Sequence, residues 1–421
     1  MTCRFRMLCL MASATALPLT SQAAEYFVAP GGSGTACSKA APCGRVEDAQ
    51  ALAVAGDTVW IRGGTYTFAA SATVGADFTK SGSPNNPIRY FAYKNEIPIF
   101  DLSNGTPTGR VTGLNVQCDW IHLRGLEVRG VQQFESGQDS WGVRIRGSNN
   151  VLERLNVHHN EAPGIFITSG GNNRVVNCDS HHNYDVLENG GSGDGFGCHS
   201  STGGNVFSGC RAWANSDDGY DFIRAAGVCT VEKSWSFNNG YIPDTKTTAG
   251  NGAGFKAGGF GKPARNVPDP VPRHVVRQCI AFGNRVQGFY ANHHPGGIDF
   301  FNNVAFGNPV NYDMLTDTTS SHEIHNNIAM APGEAIKNFT GGSDTFNSWN
   351  LPVTVSPADF LSVAESEALA PRQADGSLPK VNFMHLAPKS DLIDKGTNVG
   401  LPFKGSAPDL GPFETGGAAS R

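Results

Sequence analysis

The sequence predicts an all-β solenoid: a right-handed parallel β-helix of about 23-residue coils, with an N-terminal helical cap and a C-terminal wrapping segment. Three observations lead there. A short strand ending in Asn recurs at a near-constant interval, and a second short strand opening with Gly follows each one. The composition has 52 Gly among 421 residues, only 16% charged residues and little apolar periodicity of helical type, which suits many short strands and turns.

The Asn-terminated strands are Leu155–Asn160, Cys178–Asn183, Cys210–Asn215, Ser234–Asn238, Cys279–Asn284 and Asn303–Asn308, so the Asn residues are 23, 32, 23, 46 and 24 apart. An interval of 23 or 24 residues is one coil, and the longer ones carry inserted loops. Asn stacked at a corner can pass hydrogen bonds from coil to coil as an amide ladder. The second strands begin at Gly164, Gly195, Gly219, Gly254 and Gly288. Before Gly195 and Gly254 the gap from the preceding Asn is stretched, and insertions at one corner of a regular solenoid are where function is placed.

Upstream, Tyr26–Val28 and Asp57–Arg62 read as first strands flanking an amphipathic helix over 46–55, which would plug the open end of the stack. Beyond about Ser348 the period fades. Residues 25–348 are therefore expected to form the β-helix with its N-terminal cap. Residues 349–421, with a short helix near 358–366, are expected to be a C-terminal cap packed along the coils. Residues 1–24 read as a secretory signal, with Arg4 and Arg6, an apolar run over Met7–Leu19, and small residues before Glu25. No later run reaches membrane-spanning length, so a secreted protein, extracellular or periplasmic, is expected.

Eight Cys follow that segment. Cys37 and Cys43 flank a short loop in an exported chain and are expected to pair, a free pair being the alternative. Cys118, Cys178, Cys210 and Cys279 sit in apolar strands, without CxxC spacing, and read as small buried hydrophobes. The net charge of −5 argues against a nucleic-acid or membrane partner. A capped solenoid needs no second copy, so a monomer is expected.

Aligning the second strands on their opening Gly puts Phe166, Gly197, Asp221, Lys256 and Tyr290 in one row, with coils about 4.8 Å apart. Asp221 and Lys256 become neighbours. Asp194 and Asp218, each one residue before its Gly, stack as well, and Asp217 adjoins them. Four carboxylates this close stay ionised only beside a cation; otherwise some are protonated. Calcium, with its six to eight oxygen ligands, fits such a set best, and the lack of His in the alignment argues against zinc. Taken singly, Asp194-Gly195 and Asp217-Asp218-Gly219 could be ordinary turn formers. Lys262, Arg265, Arg273 and Arg277, with only Asp269 among them, suggest a local basic surface, ordinary loop charges being the alternative.

A divalent ion and a lysine base suit a uronic-acid polymer. The C5 proton of a uronate lies α to a carboxylate, so Lys256 lowered in pKa beside calcium can take it while calcium stabilises the charge that develops. Ser192–Phe196, Asn215–Asp221 and Gly252–Lys256 resemble the motifs of the pectate lyases of polysaccharide lyase family nine over roughly residues 150–310. That resemblance implies a calcium site at Asp194, Asp217, Asp218 and Asp221, with Lys256 as base. It further implies β-elimination on polygalacturonate. The family's common Asn-Gly-Asn-Gly-Phe-Lys appears here as Asn251-Gly-Ala-Gly-Phe-Lys256, a departure in the loop rather than in the base. Rival readings are a lyase for rhamnogalacturonan, alginate or another uronan, a β-helical polygalacturonase using Asp217-Asp218, and a non-catalytic calcium-binding glycan binder. The polygalacturonase lacks its accompanying Asn-Thr-Asp and Arg-Ile-Lys signatures.

Overall fold

Each coil of the computed structural model, which describes residues 23–317 and 321–416, gives one strand to each of three parallel sheets, one of twelve strands and two of ten. The coil Val151–Glu153, Asn156–His158, Ile165–Ile167 shows why this sequence winds so. Its strands alternate, and Leu152, Val157, Ile165 and Ile167 all point inward and are fully buried. The expected signal segment falls outside the described residues except for Ala23 and Ala24. No helix among the described residues is long and apolar enough to cross a membrane.

An aromatic column sets the register beneath the ten-stranded sheet that carries the Gly-led strands. Phe196, Tyr220, Phe255, Phe289 and Tyr312 stack with ring centroids 4.9, 4.7, 5.0 and 4.9 Å apart, nearly parallel, in the core. Rings at that spacing bury large area and resist slippage. A one-residue slip would turn every ring out to solvent.

The Asn ladder runs through Asn160, Asn183, Asn215, Asn239, Asn284 and Asn308, each side-chain Nδ2 donating to the next Oδ1 at 2.9–3.1 Å. At one rung the sequence reading is off by a residue. Asn238 was expected in the ladder, yet it turns the corner at φ +55°, and Asn239 takes the rung. Pairing of Trp213 with Phe237 fixes this, because two residues follow each to the ladder position. Further amide ladders occupy the other two corners, one over Asn150, Asn173 and Asn205 and the other over Asn303, Asn327 and Asn347.

The first strands are Glu25–Val28 and Thr58–Ile61, and the helix between them is Val46–Leu52, shorter than the expected 46–55. It covers the open edge of the strand Val74–Phe78: Gln50 bonds the Asp77 carbonyl and the Thr79 N–H, and Glu47 accepts from the Asp77 N–H. Past residue 349, the expected helix near 358–366 is replaced by two 3-10 turns, Pro357–Asp359 and Glu365–Leu369. Pro357 and short polar residues favour turns over a longer helix. Phe360, Phe383, Met384 and Leu386 pack on the outward face of the other ten-stranded sheet, over Trp235, Phe237, Phe282 and Phe306. Asp179, held between Arg211 at 2.8 Å and Arg372 at 2.7 Å, ties this segment to the coils.

Cys37 and Cys43 are disulfide-bonded, and so are Cys198 and Cys229, which join two sheets. Cys118, Cys178, Cys210 and Cys279 are free and buried. Replacing Asn215 by Ala strands its neighbours' amides and should cost roughly 1–3 kcal/mol in urea unfolding. Burial holds His181 at about 2, His274 at about 3, and His294 and His322 at about 4, below the ordinary histidine value. The unfolded chain therefore binds protons that the fold refuses. Stability should be complete above about pH 6.5 and fall as pH drops below it, seen as a lower urea midpoint at pH 5 than at pH 7.5.

Candidate active site

Three adjacent strands of the aromatic-column sheet, Phe196–Cys198, Tyr220–Asp221 and Phe255–Lys256, carry the site. Since Tyr220 and Phe255 face the core, Asp221 and Lys256 must face out, and they pair directly across the two strands. Gly197 pairs with Asp221 on the other side, and Phe166 with Gly197. A Cβ on Gly197 would fall 2.0 Å from the Phe166 ring, so the ring lies in the space that the glycine leaves.

Lys256 Nζ sits 2.9 Å from Asp218 Oδ2 and 3.1 Å from Asp221 Oδ2, and all three residues are buried. Asp194, Asp218 and Asp221 each offer one oxygen within 4.8 Å of the others. Asp194 and Asp218 stack: the Asp218 N–H donates to Asp194 Oδ1 at 3.1 Å. Asp217 flanks this trio rather than joining it at that distance, and its Oδ1 accepts from the Asn251 N–H. Asp218 Oδ1 accepts from the Ala253 N–H at 2.7 Å, so the departure at Ala253 costs no donor, the backbone supplying it. Asp218 Oδ2 is fully buried and has the lysine charge close by but no donor aligned for a hydrogen bond.

Burial pushes the carboxyls of Asp194 and Asp217 well above the usual range, and the neighbouring carboxylates push further. Asp218 is raised too, by burial, although Lys256 opposes this. Burial alone would lower Lys256, but Asp218, Asp221, Asp217 and Asp194 together hold it well above its ordinary value. The cluster is thus short of positive charge, with one ammonium serving four acids. Its all-oxygen, carboxylate-rich donor set and the unaligned Asp218 Oδ2 fit a hard divalent cation.

The two stretched loops meet beside this cluster, where the Gly250 N–H donates to the Asn189 carbonyl at 3.0 Å. Gly250 turns there at φ +47°, and a Cβ would press on the Ser216 carbonyl and Asp217 Oδ1 at 2.5 and 2.6 Å. Arg285 donates to the Gly250 and Asn251 carbonyls at 2.7 and 2.6 Å and pins the loop.

A Pel9A-like right-handed β-helix family model matches residues 26–327. The chain belongs to that family, the pectate lyases of polysaccharide lyase family nine. It is 35% identical to pectate lyase L of Dickeya chrysanthemi over 402 residues, covering 92% of this chain and 90% of the relative. It is 31% identical to pectate lyase PEL9 of Emericella nidulans, over 86% of this chain and 92% of that one. Among solved structures, pectate lyase Pel9A superposes with a TM-score of 0.81 at 33% identity, covering 93% of this chain and 97% of that one. A rhamnogalacturonan lyase superposes with 0.80 at 35% identity, covering 86% and 96%. The protein is a polysaccharide lyase.

For this family-nine lyase, one expectation about surroundings is overturned. The basic surface read from Lys262, Arg265, Arg273 and Arg277 is divided, Arg273 and Arg277 lying on another sheet. Arg273 and Arg277 flank or lie in the strand His274–Arg277 of the twelve-stranded sheet, paired with Asp299 at 2.6 Å and Glu232 at 2.5 Å, and Lys262 reaches Asp317. Neighbours in sequence fall on different faces of a solenoid, and the acids that neutralise them come from adjacent coils. Arg285 and His199 went unread. The His199 ring meets Phe166 edge-on at 4.9 Å, and its Nε2 is buried without a partner. Only the repeat alignment, carried two residues further, could have found His199.

Because Asp194 is raised by burial first and then by its neighbouring carboxylates, the fold without a cation should lose stability as pH rises through its titration. Asp194→Asn keeps the oxygen that accepts from Asp218 and removes one charge. In chelator at pH 8, it should melt higher than the parent, and an added divalent cation should stabilise it less than the parent.

Proposed function

We propose that this lyase is a calcium-dependent pectate lyase that cleaves polygalacturonate by β-elimination, with Lys256 as the base and Asp194, Asp217, Asp218 and Asp221 as the calcium ligands. The observation that carries the reading is the contact of buried Lys256 Nζ with Asp218 and Asp221 inside a cluster too rich in carboxylates to stand alone. Residues 25–348 serve as the catalytic β-helix and 349–421 as its packed cap. The readings of residues 1–24 as a signal and of the Cys37–Cys43 and Cys198–Cys229 pairs as disulfides both suit an exported monomer.

Bound calcium supplies Lewis acidity toward the uronate carboxylate and positive charge that favours neutral Lys256. Lys256 Nζ takes the proton from C5. The C–H electron pair becomes the C4–C5 double bond, and the O4 substituent departs with the electrons of the bond to C4. No water enters the bond-breaking step, so the product is an unsaturated sugar rather than a hydrolysed one. The strand pairing of Asp221 with Lys256 fixes the base beside the charge that develops, which is positioning of the kind that removes most of a barrier's entropy.

A second reading keeps the chemistry and changes the polymer to rhamnogalacturonan, favoured by the similarity to the rhamnogalacturonan lyase structure. Ultraviolet absorbance of the unsaturated product, followed on both polymers, separates the two. On polygalacturonate, absorbance should rise with calcium, stop with chelator, and fall about 10²–10⁴-fold in Lys256→Ala. Silence on polygalacturonate with a signal on rhamnogalacturonan would transfer the assignment, and full activity in Lys256→Ala would remove the base. Since only neutral Lys256 accepts a proton, kcat/KM should climb with pH into the alkaline range. A sharp optimum at or below pH 6 contradicts the role.

A further inference from the structure

The row that holds Asp221 and Lys256 continues away from them through Gly197 and Phe166 to Arg144, each residue paired with the next across adjacent strands. Arg144 is therefore three coils from Asp221, about 14 Å along the same outward face. It is half-buried, its guanidinium stacks on the buried Trp141 ring at 4.0 Å, and its Nε donates to Thr168 Oγ1 at 3.1 Å. Arg146 and Arg110, both exposed, stand beside it, Arg110 at 5.7 Å from the same indole. Several other arginines meet carboxylates, as Arg62, Arg129, Arg211, Arg273 and Arg277 do on the coils and Arg372 does on the C-terminal segment.

None of these three forms an ion pair among the described residues. The polar partner of Arg146 is the neutral Gln117, whose own amide is turned to Asp77 at 2.6 Å. Arg144 is lowered from its ordinary value, by burial first and then by repulsion from Arg146 and Arg110. Three cations facing one another, one held rigid by an indole and a hydroxyl, make a site that an anion would relieve. Guanidinium groups are the donors that grip carboxylates in two-pronged fashion.

We propose that Arg144, with Arg110 and Arg146, is a carboxylate-binding subsite on the same outward face, holding a uronate of the acidic polysaccharide some three coils from the bond that breaks. The assignment rests on the lyase reading for the polymer's chemistry, but its test does not need turnover. The cluster grips remote charge on the chain, and its part is to bind and orient, so long substrates should feel it and neutral ones should not.

Affinity electrophoresis through gels containing polygalacturonate, with calcium, reads binding directly when all variants are made in the Lys256→Ala background. The parent should be retarded, and adding Arg144→Gln should weaken the apparent Kd about tenfold. Adding Arg146→Gln, at an exposed site where folding is not at stake, should weaken it by a smaller factor. Fully methyl-esterified pectin should retard none of them. Lys389→Gln, an exposed charge change on the C-terminal segment, should behave as the parent and exclude a general charge effect. Equal retardation of the parent, Arg144→Gln and Arg146→Gln overturns the subsite. If wild type makes no unsaturated product from polygalacturonate while retardation still depends on Arg144, the lyase reading on that polymer falls and the subsite stands.

Discussion

Everything at the active site depends on coils stacking in fixed register, and the aromatic column is what fixes it. The strands Tyr220–Asp221 and Phe255–Lys256 are only two residues long, too short for a ladder of backbone hydrogen bonds to hold them against slippage. Parallel rings nearly 5 Å apart do that work from inside. The amide ladder does the same at the neighbouring corner. A lysine and an aspartate 35 residues apart in sequence therefore meet with the precision of a crystal repeat.

The same scaffold explains why charge can be crowded. Buried carboxylates that repel one another are tolerated only if the surrounding structure leaves them no freedom to part. Here Asp218 is held by the Ala253 N–H, Asp217 by the Asn251 N–H, and the loop bearing both donors by Arg285. A rigid surplus of negative charge is what a cation site requires.

The architecture and the Asp221–Lys256 pairing were legible in the sequence because Gly opens each second strand and so marks register without any structure. The slip from Asn239 to Asn238 arose where two Asn stand in tandem and periodicity alone cannot choose; pairing of Phe237 with Trp213 chooses. Facing was harder to read than register. Arg273 and Arg277 looked like free charges because their acids, Asp299 and Glu232, come from other coils. The Cys198–Cys229 bond hid for a similar reason, since its halves lie in different sheets. Asp217 adjoins Asp218 in the chain, and its Oδ1 accepts from the Asn251 N–H of the neighbouring loop.

The C-terminal segment also covers an apolar stripe on one face of the solenoid. Its anchor, Arg372, meets Asp179 across 193 residues of intervening chain. The stripe of Phe237, Phe282 and Phe306 that it shelters lies wholly earlier in the chain. Without that segment, the solenoid would present this stripe to solvent. A chain cut short before that segment would expose a surface suited to pairing with another copy of itself.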